Sequence, residues 1–226
     1  MDGRQSDSEP DPTTDAALPL FPLPTVVLFP AVAVPLYIFE PRYRQMTAAA
    51  LAGAGKIGMV TVEPRFLDDL AGNPPVFDVG CAGEIRRSEP RPDGTYNILL
   101  HGLHRFRIRR ELPAVGDRLY RCAEVERLAD PEPTEEIAGA RSEVLDLMRQ
   151  ILPDRASSFR AELFANVADT PFVNAFCQAI ELSTLEKQKL LEANGVRERA
   201  DELVSLLRFL LAEHAVPDIA ARKTLH

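Results

Sequence analysis

Three arginines at alternate positions, Arg105, Arg107 and Arg109, are the densest chemistry in this chain. Residues two apart on a strand share a face, so the three guanidinium groups would make a positive stripe, with Arg86 joining from a neighbouring strand. Such a stripe suits RNA phosphates or an acidic peptide. Base-stacking aromatics are missing from that face, since Phe106 points the other way and the chain has no Trp. Glu84, Glu111 and Glu124 are placed to neutralise it, and a solvated sheet face is the plainer reading.

The remaining candidates are thinner. His101 and His104 form an HxxH pair, but at a strand–Gly–strand junction their rings need not converge, and no Cys, Asp or Glu stands beside them as a third ligand. The run Ala52–Gly58 looks superficially like a phosphate-binding loop. That motif requires Gly at position 50 and Ser or Thr at 57, where this chain has Ala50 and Ile57. Cys81, Cys122 and Cys177 are far apart, odd in number and without a CxxC pair, so they read as small buried apolar residues in a reducing compartment. No G-x-S-x-G elbow is present, and acid pairs such as Asp68-Asp69 point apart on any regular element. No metal, cofactor or nucleotide is expected, and no enzyme activity.

The elements that must position these groups follow from periodicity and punctuation. Leu18–Met46 holds six prolines and must be short strands joined by fixed corners. Thr25–Phe29 between Pro24 and Pro30 reads as one strand, Val34–Phe39 as another, and Pro41 as the first residue of a helix that stops near Gly53 or Gly55. Phe21, Leu23, Val27, Phe29, Leu36, Ile38 and Phe39 are expected to be covered. Lys56–Glu63 reads as a buried strand and Pro64–Asp78 as a loop. Val79–Glu89, Thr95–His101, Leu103–Leu112 and Arg121–Leu128 read as strands, the first two joined by a turn at Pro92-Asp93-Gly94.

After Ala129 the period becomes helical. Helices are expected over Glu135–Leu152, broken by Pro153-Asp154, and over Phe159–Ala168. A third should open at the Thr170-Pro171 cap, a fourth at a Ser183–Glu186 capping box, and the last over Val196–His214. The domains are therefore a disordered tail at 1–17, a β domain at 18–129, a helical bundle at 130–215 and a loose tail at 216–226.

Charge divides along the same lines. Residues 1–17 carry five acids against one base, 18–129 twelve against fourteen, and 130–226 seventeen against eleven. Only the middle is mildly basic. Met1–Ala17 is polar and acidic, unlike a signal peptide, and no apolar run approaches the roughly 18 residues of a membrane span. A cytoplasmic protein is expected, with no membrane partner.

Several segments together resemble the Lon substrate-binding (Lon N-terminal) domain family, especially its stand-alone bacterial members. They are the LFP and IFEPRYR pieces of the opening, Ile57–Val60, Val79–Ile85 (VGCAGEI), Asp93-Gly94 with Tyr96–Phe106 (YNILLHGLHRF), Val173-Asn174, and Leu182–Glu192 (LSTLEKQKLLE). The resemblance implies an α+β fold, a PUA-like β-barrel followed by an α-helical bundle. It also implies a part in recognising unfolded or damaged protein. Full Lon also carries a Walker-bearing ATPase module and a Ser-Lys protease module, which this sequence lacks, so neither activity carries over. The tryptophan cage and cysteine-bound zinc of the related cereblon domain are missing too. A non-enzymatic module for unfolded or extended protein segments is the expectation. The alternative is RNA binding through Arg105, Arg107 and Arg109.

Overall fold

The computed structural model describes residues 14–70, 72–130 and 137–215. The chain divides between Ala129 and Asp130 into two compact units, each described by itself. Most of the expected tails, residues 1–13 and 216–226, lies outside the described residues. Thr14–Ala17, expected to be disordered, instead opens the first strand.

In the first unit the strands are β1 (Thr14–Leu23), β2 (Ala33–Ile38), β3 (Lys56–Thr61), β4 (Val79–Pro90), β5 (Tyr96–Leu112) and β6 (Cys122–Arg127), with helix α1 (Pro41–Ala52) after β2. They form one mixed sheet in the order β2-β5-β4-β3-β1-β6, and a further β5–β6 pairing closes it into a barrel. Together with the helices of the second unit this makes the chain α+β.

β1 carries two prolines inside a sheet, and the ladder shows why they are tolerated. The Leu20 N–H donates to the Arg121 carbonyl at 2.8 Å, so alternate N–H groups of β1 face β6. Pro22 would donate past the end of β6, which begins at Cys122, and Pro19 turns its nitrogen away from its partner Cys122. Neither position loses a bond to β6.

Thr25–Phe29 is not a strand. Val27, Leu28 and Phe29 are buried all the same, with Leu28 packed over Gly83. Leu18, Leu20, Val60, Val62, Ala82, Phe106, Ala123 and Val125 fill one core cluster of the barrel.

Gly102 does not separate two strands; β5 runs through it, with one residue bulged out against β4 between Gly102 and His104. Glycine is required there because a Cβ would press on the Phe29 carbonyl, backbone that cannot yield. The Pro92–Gly94 turn forms as expected, with Gly94 at φ 78° and the Asp93 carboxylate accepting from both the N–H and the hydroxyl of Thr95. Pro64–Asp69 in the expected loop winds into a 3-10 turn.

The second unit holds α2 (Ala138–Ile151), α3 (Asp169–Ala179), α4 (Thr184–Glu192) and α5 (Val196–Ala215). α2 stops before Pro153, as expected. Phe159–Ala168 is not a helix; Pro153–Phe159 and Ala161–Phe164 are separate 3-10 turns, with Arg160 extended between them. The turn instead sets Phe164 against Phe172 and Phe176, at ring-centroid distances of 5.5 and 5.6 Å, while its carbonyl accepts from Arg141. α3 begins at Asp169 and not after Thr170, because Asp169 in its first turn meets Arg141 at 2.8 Å. The Ser183–Glu186 capping box forms in full.

Candidate functional site

The arginine stripe does not exist as one accessible face. Arg105 is only 2% exposed. The chain leaving β6 folds back over it: the Arg105 Nη2 donates to the Ala129 carbonyl at 3.0 Å, and its own carbonyl accepts the Leu128 N–H at 2.9 Å. Arg107 and Arg109 are exposed, but Arg109 is ion-paired with Glu126. On the neighbouring position Arg110 meets Glu124 at 2.7 Å, and Arg86 meets Glu84 at 3.0 Å. What remains is Arg107 beside a row of mutually neutralised pairs.

His101 and His104 are separated by the β5 bulge, and among the described residues no cluster of His, Cys, Asp or Glu has metal-ligand spacing. The Gly53–Gly55 segment is the turn from α1 into β3, with Gly55 at φ 70°. All three cysteines are buried as free thiols, and burial pushes Cys177 up to about 12.

The distinctive IFEPRYR residues serve to hold a loop. Arg42, in the first turn of α1, donates from Nη2 to the Leu70 carbonyl at 2.7 Å and from Nη1 to the Gly72 carbonyl at 3.1 Å. Its Nε meets Glu40 at 3.0 Å, and its guanidinium lies 4.6 Å from the Tyr43 ring centre. From the other side Arg121 donates to the Pro74 carbonyl at 2.8 Å. The buried Tyr43 hydroxyl donates to the Pro22 carbonyl at 3.3 Å, and burial raises its pKa. Between these groups lies a recess of about 60 Å³. This is far below the roughly 300–1,000 Å³ of a small-molecule site.

The exposed chemistry lies on β2. This strand ends the sheet order and pairs only with β5. Its inner residues Val34 and Ile38 are buried, while Pro35 and Tyr37 face outward and Phe39 follows just beyond. Tyr37 is 52% and Phe39 59% exposed, and their rings stack at 5.8 Å between centroids with 28° between planes. The Arg91 guanidinium lies 5.9 Å from the Tyr37 ring centre, at the long end of cation–π range.

The direction of the main-chain groups can be read from the ladder. On the β2 side, the Gly102 N–H donates to the Val32 carbonyl at 2.8 Å, and its carbonyl accepts the Ala31 N–H at 2.9 Å. On the β4 side, the Arg91 N–H donates to the Thr95 carbonyl at 2.9 Å. Even-numbered residues from Tyr96 to Gly102 therefore face β2, which turns their partners Val34, Leu36 and Ile38 inward to β5. Ala33, Pro35 and Tyr37 are left facing the open side.

This corrects the expectation that Phe39 is covered; Phe21, Val27, Phe29 and Ile38 are buried as expected. The signal was present in the sequence. Proline inside a strand marks an edge, and Pro35, Tyr37 and Phe39 alternate against Val34, Leu36 and Ile38.

Residues 17–208 match the sequence model of the ATP-dependent protease La (LON) substrate-binding domain. The Lon protease of Flavobacterium johnsoniae is 29% identical over 203 residues, covering 87% of this chain and 24% of that protein. The Lon protease of Parabacteroides distasonis is 29% identical over 201 residues, covering 84% and 23%. The chain thus spans about a quarter of the length of these curated relatives. Two solved structures share the fold at 20% identity. The Lon N-terminal domain protein from Xanthomonas campestris superposes with a TM-score of 0.62 over 84% of this chain and 98% of that one. The N-terminal domain of the Mycobacterium avium complex Lon protease gives 0.64 over 88% and 99%.

Proposed function

The chain belongs to the ATP-dependent protease La (LON) substrate-binding domain family, and we propose that it is a non-enzymatic module that binds unfolded or extended protein segments. One observation carries this reading. Two large aromatic rings, Tyr37 and Phe39, stand exposed and stacked beside the open edge of β2. Aromatic side chains exposed together are costly in water and are the usual anchors of protein contacts. The matching family model is that of a substrate-binding domain, which supports a binding role. RNA binding along Arg107 and Arg109 is weighed down by the burial of Arg105 and the Arg109–Glu126 pair.

The test is fluorescence anisotropy with a reduced, alkylated protein that cannot fold as the labelled probe. The full chain binds the probe, and the Tyr37→Ser/Phe39→Ser double variant binds it about tenfold or more weakly, because removing one anchor costs over about 1 kcal/mol. Equal affinity of the two chains, or no binding by either, would sink the proposal.

A further inference from the structure

We propose that β2 takes its partner as an added strand whose register is set by Pro35, and that the segment preferred is one that carries an aromatic and an acidic residue two positions apart. The proposal rests on the protein-binding reading above and names the mode and the class of segment.

The open side of β2 offers N–H and carbonyl groups at Ala33 and Tyr37 but only a carbonyl at Pro35. Among the described residues no hydrogen bond reaches these groups, and Ala33, Pro35 and Tyr37 are all exposed. An antiparallel segment laid here exchanges two bonds with Ala33 and two with Tyr37. The residue opposite Pro35 gives its N–H to the proline carbonyl and so cannot itself be proline. Main-chain bonding of this kind tolerates many sequences, as capture of unfolded chains requires.

Pro35 also discriminates against a second copy of the chain. Two copies of β2 paired about a two-fold axis at Pro35 would set proline opposite proline, two carbonyls facing each other with no donor between them. A foreign segment supplies that donor. An edge proline is a recognised guard against sheet-to-sheet association, and here it leaves a one-sided acceptor for something else.

Side chains supply the class of segment. Every second side chain of the occupant lies on the outer face, where the Tyr37–Phe39 stack suits an aromatic residue. Beyond the stack is Arg91. Its neighbours Arg87 and Arg86 are paired with Glu89 at 2.5 Å and Glu84 at 3.0 Å, and the Asp93 carboxylate is turned to Thr95. Arg91 makes no direct ion pair among the described residues, although the Asp93 carboxylate lies within its field, and it is exposed beside Tyr37, so a carboxylate on the occupant complements it.

The experiment is amide hydrogen exchange on the full chain, read residue by residue by NMR. The probe is a short synthetic peptide in which Phe and Asp stand two positions apart with Ser between them, and the control has Lys in place of each Asp. The Phe/Asp peptide slows exchange at Ala33 and Tyr37 by about tenfold or more, whereas Val34, Leu36 and Ile38 are already protected before it is added. Arg91→Ala weakens the Phe/Asp peptide several-fold and leaves the Phe/Lys peptide unchanged. Pro35→Ala raises self-association in sedimentation relative to the natural chain. Unchanged exchange at Ala33 and Tyr37 while a peptide or an unfolded probe still binds would overturn strand addition and leave the binding reading standing. Equal affinity for the two peptides would overturn the acidic preference, and a Pro35→Ala chain no more associated than the natural one would overturn the guard role. Absence of binding to any unfolded chain would take down both proposals together. If Pro35→Ala does not fold, exchange on the natural chain still decides.

Discussion

Arg199, fully buried at the start of α5, binds the carboxylate of Asp130, 69 residues earlier in the chain, with Nη2 at 3.0 Å from Oδ1. The same guanidinium donates from Nε to the Leu190 carbonyl at 2.9 Å and from Nη1 to the Asn174 side-chain oxygen at 2.8 Å. One side chain thus ties together α3, the end of α4 and Asp130 at the head of the second unit.

Removing that hub leaves buried acceptors without their donor. Arg199→Met is expected to destabilise the second unit by roughly 3–5 kcal/mol, the range for breaking one side of a buried pair. Asp130→Asn retains an acceptor oxygen and should cost less. Urea denaturation of the three chains checks this, and an Arg199→Met midpoint within error of the natural chain would refute it.

The clasp at the 70–74 loop should be separable from global stability. Arg42 bridges two carbonyls with one planar fork, which lysine cannot reproduce. Arg42→Ala and Arg42→Lys are both expected to speed limited proteolysis between Pro64 and Asp78, by about tenfold, since hydrogen bonds from a charged donor are worth about 1.5–3 kcal/mol. Cleavage at the natural rate in Arg42→Lys would show that charge alone holds the loop.

Cys177 makes a pH prediction with a definite sign. Burial raises its folded pKa from 9.0 to about 12, against partial relief from Arg199, so the folded state keeps its proton where the unfolded chain has lost it. The contribution is complete below pH 9 and declines as pH rises from there towards 12. The slope is at most about 1.4 kcal/mol per pH unit. Thermal melts of the natural chain and Cys177→Ala from pH 7 to 11 check this. The gap between them should be constant below pH 9 and shift in favour of Cys177→Ala above it; a constant gap throughout would contradict the assignment.

Gly102→Ala tests the close approach of β5 to the Phe29 corner. The added methyl meets a backbone carbonyl, so a loss of about 1–3 kcal/mol is expected, in the range of overpacked cores. Gly139→Ala, where a Cβ meets nothing within 4 Å on α2, is the control and should be neutral or slightly stabilising. Equal melting temperatures for the two variants would deny Gly102 its role.

Several features were legible in the sequence because their causes lie within a few residues. The Ser183–Glu186 box, Pro41 at the first position of α1, the Asp93-Gly94 turn and the stop of α2 before Pro153 each depend on dihedral limits and on hydrogen bonds between near neighbours. The change from a two-residue to a helical period after Ala129 was legible on the same ground, because periodicity is a local property of the backbone. What the tertiary structure alone decided concerns which segment lies beside which. Arg105 and Arg107 occupy alternate positions of one strand, yet only Arg105 is buried, because the chain returning from β6 crosses it at Leu128 and Ala129. Thr25–Phe29 has the composition of a strand but joins no ladder, while β2 has one neighbouring strand and shows Tyr37 and Phe39 to solvent. Composition sets what a residue would prefer. Whether the preference is met depends on a partner strand brought in from about sixty residues away, such as β5 beside β2, and no local pattern encodes its arrival.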